Sequence, residues 1–320
     1  MLHGPVGVHR AIPLACSPGL ALGRCVAVIV TRDRPALLAQ CLIAVLGQSR
    51  RPDLVIVVDN ASGPETRDFL RMYSGIRVLR LPLNVGGAGG FHAGIELALQ
   101  DGADWLWLMD DDGRPHNAGC LRSLLRTAVS HRAEMVGALV VDVDRPERLS
   151  FPVRIAGRTL FDVTAIETHG PVSGFAHLFN GALISAALFC RIGLPDPRFF
   201  IRGDEVEFLF RAREARARIV LDPQAQFLHP GSRPEIHPIF GGMFYAVVPI
   251  EAVKQFYQFR NRAYIFRRYG KWGWLAADAV RYGYYFLVCR RLDVRGLACW
   301  AKTTKAGWSG AFMQEPASRH

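Results

Sequence analysis

Residues 26–31 (VAVIVT), 54–59 (LVIVVD) and 105–110 (WLWLMD) are short apolar runs that each stop on a polar residue. Continuous runs of this length, rich in β-branched side chains, read as strands buried on both faces. Helical spacing separates them, at residues 35–47, 66–73 and 90–101, and residues 76–81 read as a further strand. A helix at 121–131 and a strand at 135–141 continue the alternation. Strand–helix alternation of this kind builds βαβ units and a mainly parallel sheet. Ligands bind such sheets at the carboxyl ends of the strands. Three runs end there in polar groups: Thr31 with Asp33, Asp59 with Asn60, and Asp110 with Asp111 and Asp112.

The size suits this architecture. The chain has 320 residues, half of them apolar and 21% charged, enough for one large α/β domain with a helical extension. That balance excludes a disordered, collagen-like or coiled-coil protein. The net charge of +11 is segregated: residues 251–320 hold 13 Lys and Arg against 4 Asp and Glu, and the rest of the chain 26 against 24. The last fifth therefore suits an anionic partner, whether nucleic acid, a membrane surface or a lipid diphosphate. Seven cysteines, odd in number and with no C-x-x-C, argue against a disulfide framework or structural zinc and favour a reducing compartment. Residues 1–24, broken by Pro13, Pro18, Gly19 and Gly23, read as a flexible lead-in and not as a signal peptide. No apolar run reaches the length of a spanning helix; the nearest, 272–289, contains Asp278 and Arg281.

Five segments carry candidate chemistry. Asp110 and Asp112, two apart at a strand end, can share a face and serve a divalent cation and a diphosphate, although Asp and Gly also make surface turns. The stretch N-V-G-G-A-G-G-F at 84–91 reads as a glycine-rich loop entering a helix, where backbone N–H groups can approach a ligand. It fails the dinucleotide pattern G-x-G-x-x-G and follows the wrong strand for it. In F-F-I-R-G-D-E-V-E at 199–207, Asp204 and Glu205 open a helix; one of them suits a cap, and either can act as a general base. His229, in F-L-H-P, ends an apolar strand, a placement suited to a metal ligand or to an ordinary structural histidine. From Phe256 onward, aromatics alternate with arginines over two helices, at 253–268 and 274–291. They suit a membrane interface, core packing, or least well nucleic acid, because the basic residues lie outside the site-forming half.

Together these motifs resemble the inverting nucleotide-sugar glycosyltransferases of family 2, the type-A fold, over about residues 25–232. N-x-G-G-x-G-G-F at 84–91, L-F-N-G-A-L at 178–183 and F-I-R-G-D-E-V-E at 200–207 resemble a narrower group, the galactofuranosyltransferases of mycobacterial-type cell-wall galactan. R-N-R-x-Y at 260–264 and Y-F-L-V-x-R-R at 285–291 are similar to the initiating type within it. The resemblance implies a single Rossmann-like, nucleotide-sugar-binding α/β domain at 25–232, with a nucleotide-sugar half (25–113) and an acceptor half (114–232). A basic aromatic helical region at 233–320 follows. It implies that Thr31, Arg34, Asp59, Asn84, Asp110 and Asp111 contact the nucleotide sugar. Asp110, Asp112 and His229 would hold a divalent metal, Mn²⁺ or Mg²⁺. Glu205 falls where the base sits, with Asp204 on the acceptor hydroxyl; the family order is usually Asp-Asp or Glu-Asp, so Asp204 is the other candidate base.

The donor so implied is UDP-galactofuranose, and the acceptor a polyprenyl-diphosphate-linked rhamnosyl-N-acetylglucosamine. A rhamnosyltransferase using dTDP-rhamnose is the alternative. The expected setting is cytoplasmic, peripheral at the inner face of the cell membrane. The C-terminal helices would bind the membrane surface, the acceptor or a second copy of the chain, with no nucleic acid partner. Residues 145–175 yield no reading beyond a loop on the acceptor side.

Overall fold

A computed structural model describes residues 23–155 and 158–310. The lead-in assigned to residues 1–24 lies, but for its last two residues, outside them. Strands and helices alternate from the start: β1 (Cys25–Thr31), α1 (Pro35–Leu46), β2 (Leu54–Asp59), α2 (Pro64–Arg71), β3 (Arg77–Arg80), α3 (Gly86–Gln100) and β4 (Trp105–Asp110). Pro35 and Pro64 open their helices, where the missing N–H costs nothing. The four strands run parallel in the order β3-β2-β1-β4. β1 is buried along its whole length, as its unbroken apolar run requires; β3, at the sheet edge, is largely exposed.

The second half is β5 (Arg114–Pro115), α4 (Cys120–Ser130), β6 (Met135–Asp142), β7 (Arg148–Ile155), β8 (Arg158–Asp162), α5 (Val163–Glu167), β9 (Val172–Ser173), β10 (Asn180–Ser185), α6 (Ala186–Ile192), α7 (Asp204–Glu214) and β11 (Ile219–His229). β10 slots between β4 and β6, antiparallel to both, and β11 runs parallel to β6. Residues 219–222 and 226–229 belong to one strand, β11, with an irregularity between Asp222 and Gln226. The unread stretch at 145–175 holds the β7–β8 hairpin and the short α5. Two apolar layers cover the sheet. One is built on α1 and α4 around Trp107 and Phe227, the other on α3, α6 and α7 around Phe91, Phe189 and Phe208.

The glycine-rich stretch is not a loop. Gly86–Gly90 form the first turns of α3. A Cβ at Gly90 would stand 2.8 Å from a methyl of Val30; at Gly94 it would stand 2.6 Å from Val28 and 2.7 Å from Val58. The glycines let α3 lie directly on β1 and β2, and this packing overrides their poor helix propensity.

After β11 come the hairpin β12 (Ile236–Ile239) and β13 (Phe244–Val247), then α8 (Ala252–Arg268), α9 (Trp272–Tyr284) and α10 (Val294–Ser309). The helix expected over 274–291 ends at Tyr284 and continues as one π turn, Tyr285–Cys289. Among the described residues no helix is long and apolar enough to cross a membrane.

Candidate active site

Three segments meet beyond the carboxyl end of β4. The first is the acidic turn itself. The chain leaves the strand immediately after Asp110, and the Gly113 N–H donates to the Asp110 carbonyl at 3.3 Å. Asp112 therefore stands in a turn, and the alternation of a strand does not place it; the turn brings the three carboxylates together instead. Asp111 points inward and is buried. It accepts the Thr31 hydroxyl at 2.7 Å and Arg34 Nη1 at 3.2 Å. The same Arg34 nitrogen donates to Asp112 Oδ2 at 3.1 Å. Burial, then the charges of Asp112 and Asp111, push the Asp110 carboxyl well above the usual range. Burial likewise raises Asp111. Burial also works against the Asp112 anion, but His229 and Arg34 outweigh it and hold that carboxyl low.

The second is the end of β11. His229 Nδ1 lies 2.7 Å from the Pro230 carbonyl oxygen. A carbonyl only accepts, so Nδ1 carries a proton, and in the neutral ring Nε2 presents a lone pair. Nε2 stands 3.4 Å from Asp112 Oδ1, a buried oxygen that receives no hydrogen bond. A buried acceptor without a donor is costly; a proton on Nε2 would relieve it, and so would a metal cation held between the carboxylate and the neutral ring. Among the described residues no three His, Cys, Asp or Glu side chains form a closed metal centre. The expected set of Asp110, Asp112 and His229 is thus one facing pair, with Asp110 close by charge.

The third is the start of α7. Asp204 is buried, and burial followed by the adjoining Glu205 pushes its carboxyl well above the usual range. Asp110 adds to that shift, and Glu205 in turn adds to the rise at Asp110. The strand-end and helix-start carboxylates therefore lie within electrostatic reach of one another. Glu205 is less buried, and its Oε2 accepts the Gly203 N–H at 2.9 Å.

The remaining expected residues stand apart from this cluster. Asp59 ends β2 and accepts the Ser62 N–H at 2.8 Å. It lines a cavity of about 170 Å³ between α2 and β3, shared with Arg67, Leu70, Arg71, Val78 and Arg80. The Asn84 side chain is engaged locally, accepting the Gly86 N–H at 3.0 Å. Its neighbour in space, Asn60, ties β2 to α3 by donating to the Gly86 carbonyl and accepting the Val85 N–H, both at 3.0 Å. Sequence reasoning missed the part played by Arg260 and Asn261 of α8, which grip the backbone just before Asp204. The only signal for them was the R-N-R-x-Y motif.

Residues 26–184 match the family described as glycosyl transferase family 2. The chain is 39% identical over 300 residues to the galactofuranosyltransferase GlfT1 of Mycolicibacterium smegmatis, covering 90% of this chain and 97% of that protein. It is 24% identical over 219 residues to the dTDP-rhamnosyl transferase RfbF of Shigella flexneri, covering 67% of this chain and 71% of that protein. Among solved structures it resembles GalNAc-T7 with UDP, GalNAc and Mn²⁺, at a TM-score of 0.55 and 14% identity. The match takes in 77% of this chain and about half of that one (48%), and it establishes the shared fold.

Proposed function

The chain belongs to glycosyl transferase family 2, and we propose that it transfers galactofuranose from UDP-galactofuranose to a polyprenyl-diphosphate-linked rhamnosyl-N-acetylglucosamine in cell-wall galactan synthesis. The observation that carries this reading is that Asp110 at the end of β4 and the Asp204–Glu205 pair at the start of α7 lie within electrostatic reach of one another. It offers a donor side and an acceptor side within reach of one another. Likeness to a named galactofuranosyltransferase over nearly its whole length supports the choice of sugar.

In this reading residues 25–113 hold the donor. Thr31, Arg34, Asp59 and Asn84 serve its nucleotide end, and Asp110 and Asp111 its diphosphate side. Asp110, Asp112 and His229 would hold a divalent cation, which when bound supplies positive charge against the departing diphosphate. The imidazole favours Mn²⁺ over Mg²⁺. Residues 114–232 face the acceptor. A general base must be ionised and within hydrogen-bond reach of the hydroxyl. Asp204 is buried and biased toward its protonated form, so it contacts the acceptor hydroxyl while Glu205 takes the proton. The freed oxygen bonds to the anomeric carbon on the face opposite UDP, the bond from that carbon to the diphosphate oxygen breaks, and configuration inverts.

Residues 233–320 would seat the enzyme on the inner face of the membrane, where a lipid-linked acceptor lies. The basic excess supports this, as do the exposed Phe244, Trp272, Trp274, Val288 and Leu292.

Donor competition tests the reading. With one lipid-linked rhamnosyl acceptor analogue, UDP-galactofuranose should give product and dTDP-rhamnose none. Turnover with dTDP-rhamnose alone would reassign the donor along the line of the RfbF likeness.

A further inference from the structure

The acidic pair is approached through an uncommon stretch of backbone. A short 3₁₀ turn, Pro197–Phe199, leads into Phe200 at φ +65° and ψ −64°, with the Ile201 N–H donating to the Phe199 carbonyl at 2.8 Å. This is a classic γ-turn, rare and strained in folded proteins. Arg202 follows at φ +63° and Gly203 at φ +91°. Three left-handed residues within four positions persist only where surrounding structure imposes them.

What imposes them lies on α8. Asn261, fully buried, donates through Nδ2 to the carbonyls of Phe199 (2.9 Å), Ile201 (3.1 Å) and Arg202. Arg260, 2% exposed, fixes that amide by donating from Nε to Asn261 Oδ1 at 2.8 Å. It also donates from Nη2 to the carbonyls of Arg198 (2.9 Å) and Phe199 (3.2 Å). The guanidinium sits over the Tyr257 ring at 4.7 Å, and Tyr257 stacks on Phe200. From behind, α10 presses on the same point: a Cβ at Gly307 would stand 1.9 Å from the Arg260 carbonyl oxygen. The gripped segment also touches the donor side, since the Phe200 carbonyl accepts the Ala88 N–H of α3 at 3.0 Å.

We infer that Arg260 and Asn261 are positioning residues for the reaction: they hold the 198–203 backbone in its strained path and thereby set where Asp204 and Glu205 stand. The C-terminal region is then part of the catalytic unit as well as a flank to it. This rests on the reading of Glu205 as the base.

Asn261→Asp tests it, because the shape is kept and the three donated hydrogen bonds are lost. Tyr269→Phe is the comparator. It removes a tie between α7 and the residue that follows α8, the Tyr269 hydroxyl on Glu207 at 2.9 Å, that lies past the acidic pair. The measurements on the full chain are kcat and donor KM by UDP release, melting temperature, and amide hydrogen exchange over residues 203–207. Asn261→Asp should lower kcat by roughly 100-fold, the scale of a 1 Å misplacement. Donor KM should stay within about twofold, exchange at 203–207 should rise, and Arg260→Lys should fall between it and the wild type. Tyr269→Phe should lower the melting temperature and keep kcat. Equal losses of kcat in the two variants at matched stability, or unchanged exchange at 203–207 in Asn261→Asp, would overturn the inference. If the wild type itself releases no UDP from UDP-galactofuranose, the functional reading fails, and the exchange measurement still decides the positional claim.

Discussion

His229 Nε2 faces Asp112 Oδ1 at 3.4 Å, and that oxygen receives no hydrogen bond although it is buried. His229 ends β11 and Asp112 stands in the turn between β4 and β5, and the pairing of β5 with β11 brings the two together. A cation between them would satisfy both acceptors at once. Titration of Mn²⁺ into the protein in the presence of UDP should show one site. Asp112→Asn and His229→Ala should each weaken it by at least about 10-fold, the low end of what even an outer-shell change costs. Binding unchanged in both variants would remove these residues from the metal assignment.

The buried Asp204 carboxyl predicts an unusual slope of stability with pH. Its pKa is raised in the folded protein, by burial first and then by Glu205. Between the ordinary carboxyl range and that raised value, the folded chain holds a proton that the unfolded chain has lost. Stability contributed by this group is therefore full at low pH and falls as pH rises through the window. Asp204→Asn cannot ionise and removes this group's share of the slope. It should melt higher than the wild type at pH 8, and the advantage should vanish near pH 4. A melting-temperature difference constant across that range would contradict the assignment.

Gly94 tests the packing of α3 on the sheet. A methyl there meets Val28 and Val58 at under 3 Å, so Gly94→Ala should cost about 1–3 kcal/mol, the usual penalty of overpacking. Urea unfolding reads it directly. A neutral or stabilising result would mean that the helix can move away from β1 and β2 without loss.

These glycines also show where reading the sequence stopped. The strands β1, β2, β4 and β6 were legible because unbroken apolar runs have few other uses, and their polar ends pointed to the site. The stretch at 84–91 was misread as a loop because glycine's weak helix propensity is a local signal, while the close approach to Val30, Val28 and Val58 is tertiary. Asp110 and Asp112 were paired by strand alternation, yet a turn joins them. β10 lies antiparallel between β4 and β6, an order that no local pattern encodes. Arg260 and Asn261 sit in an aromatic, basic helix whose composition suggested a surface; only the fold shows them fully enclosed.

The C-terminal region should bind anionic membranes. Co-sedimentation with vesicles containing acidic phospholipid should be strong at low salt and fall as salt rises. Trp272→Ala with Trp274→Ala should weaken it, since both rings are more than half exposed. Equal retention on neutral vesicles, insensitive to salt, would leave the basic excess unexplained.

The most direct test of the account is UDP release by the purified protein given UDP-galactofuranose, Mn²⁺ and a short lipid-linked rhamnosyl acceptor analogue. The account predicts release that requires the acceptor and stops with chelator. It should fall by about 10³-fold in Glu205→Gln, within the usual contribution of a general base, with donor KM little changed. Acceptor-dependent release that survives Glu205→Gln intact would contradict it.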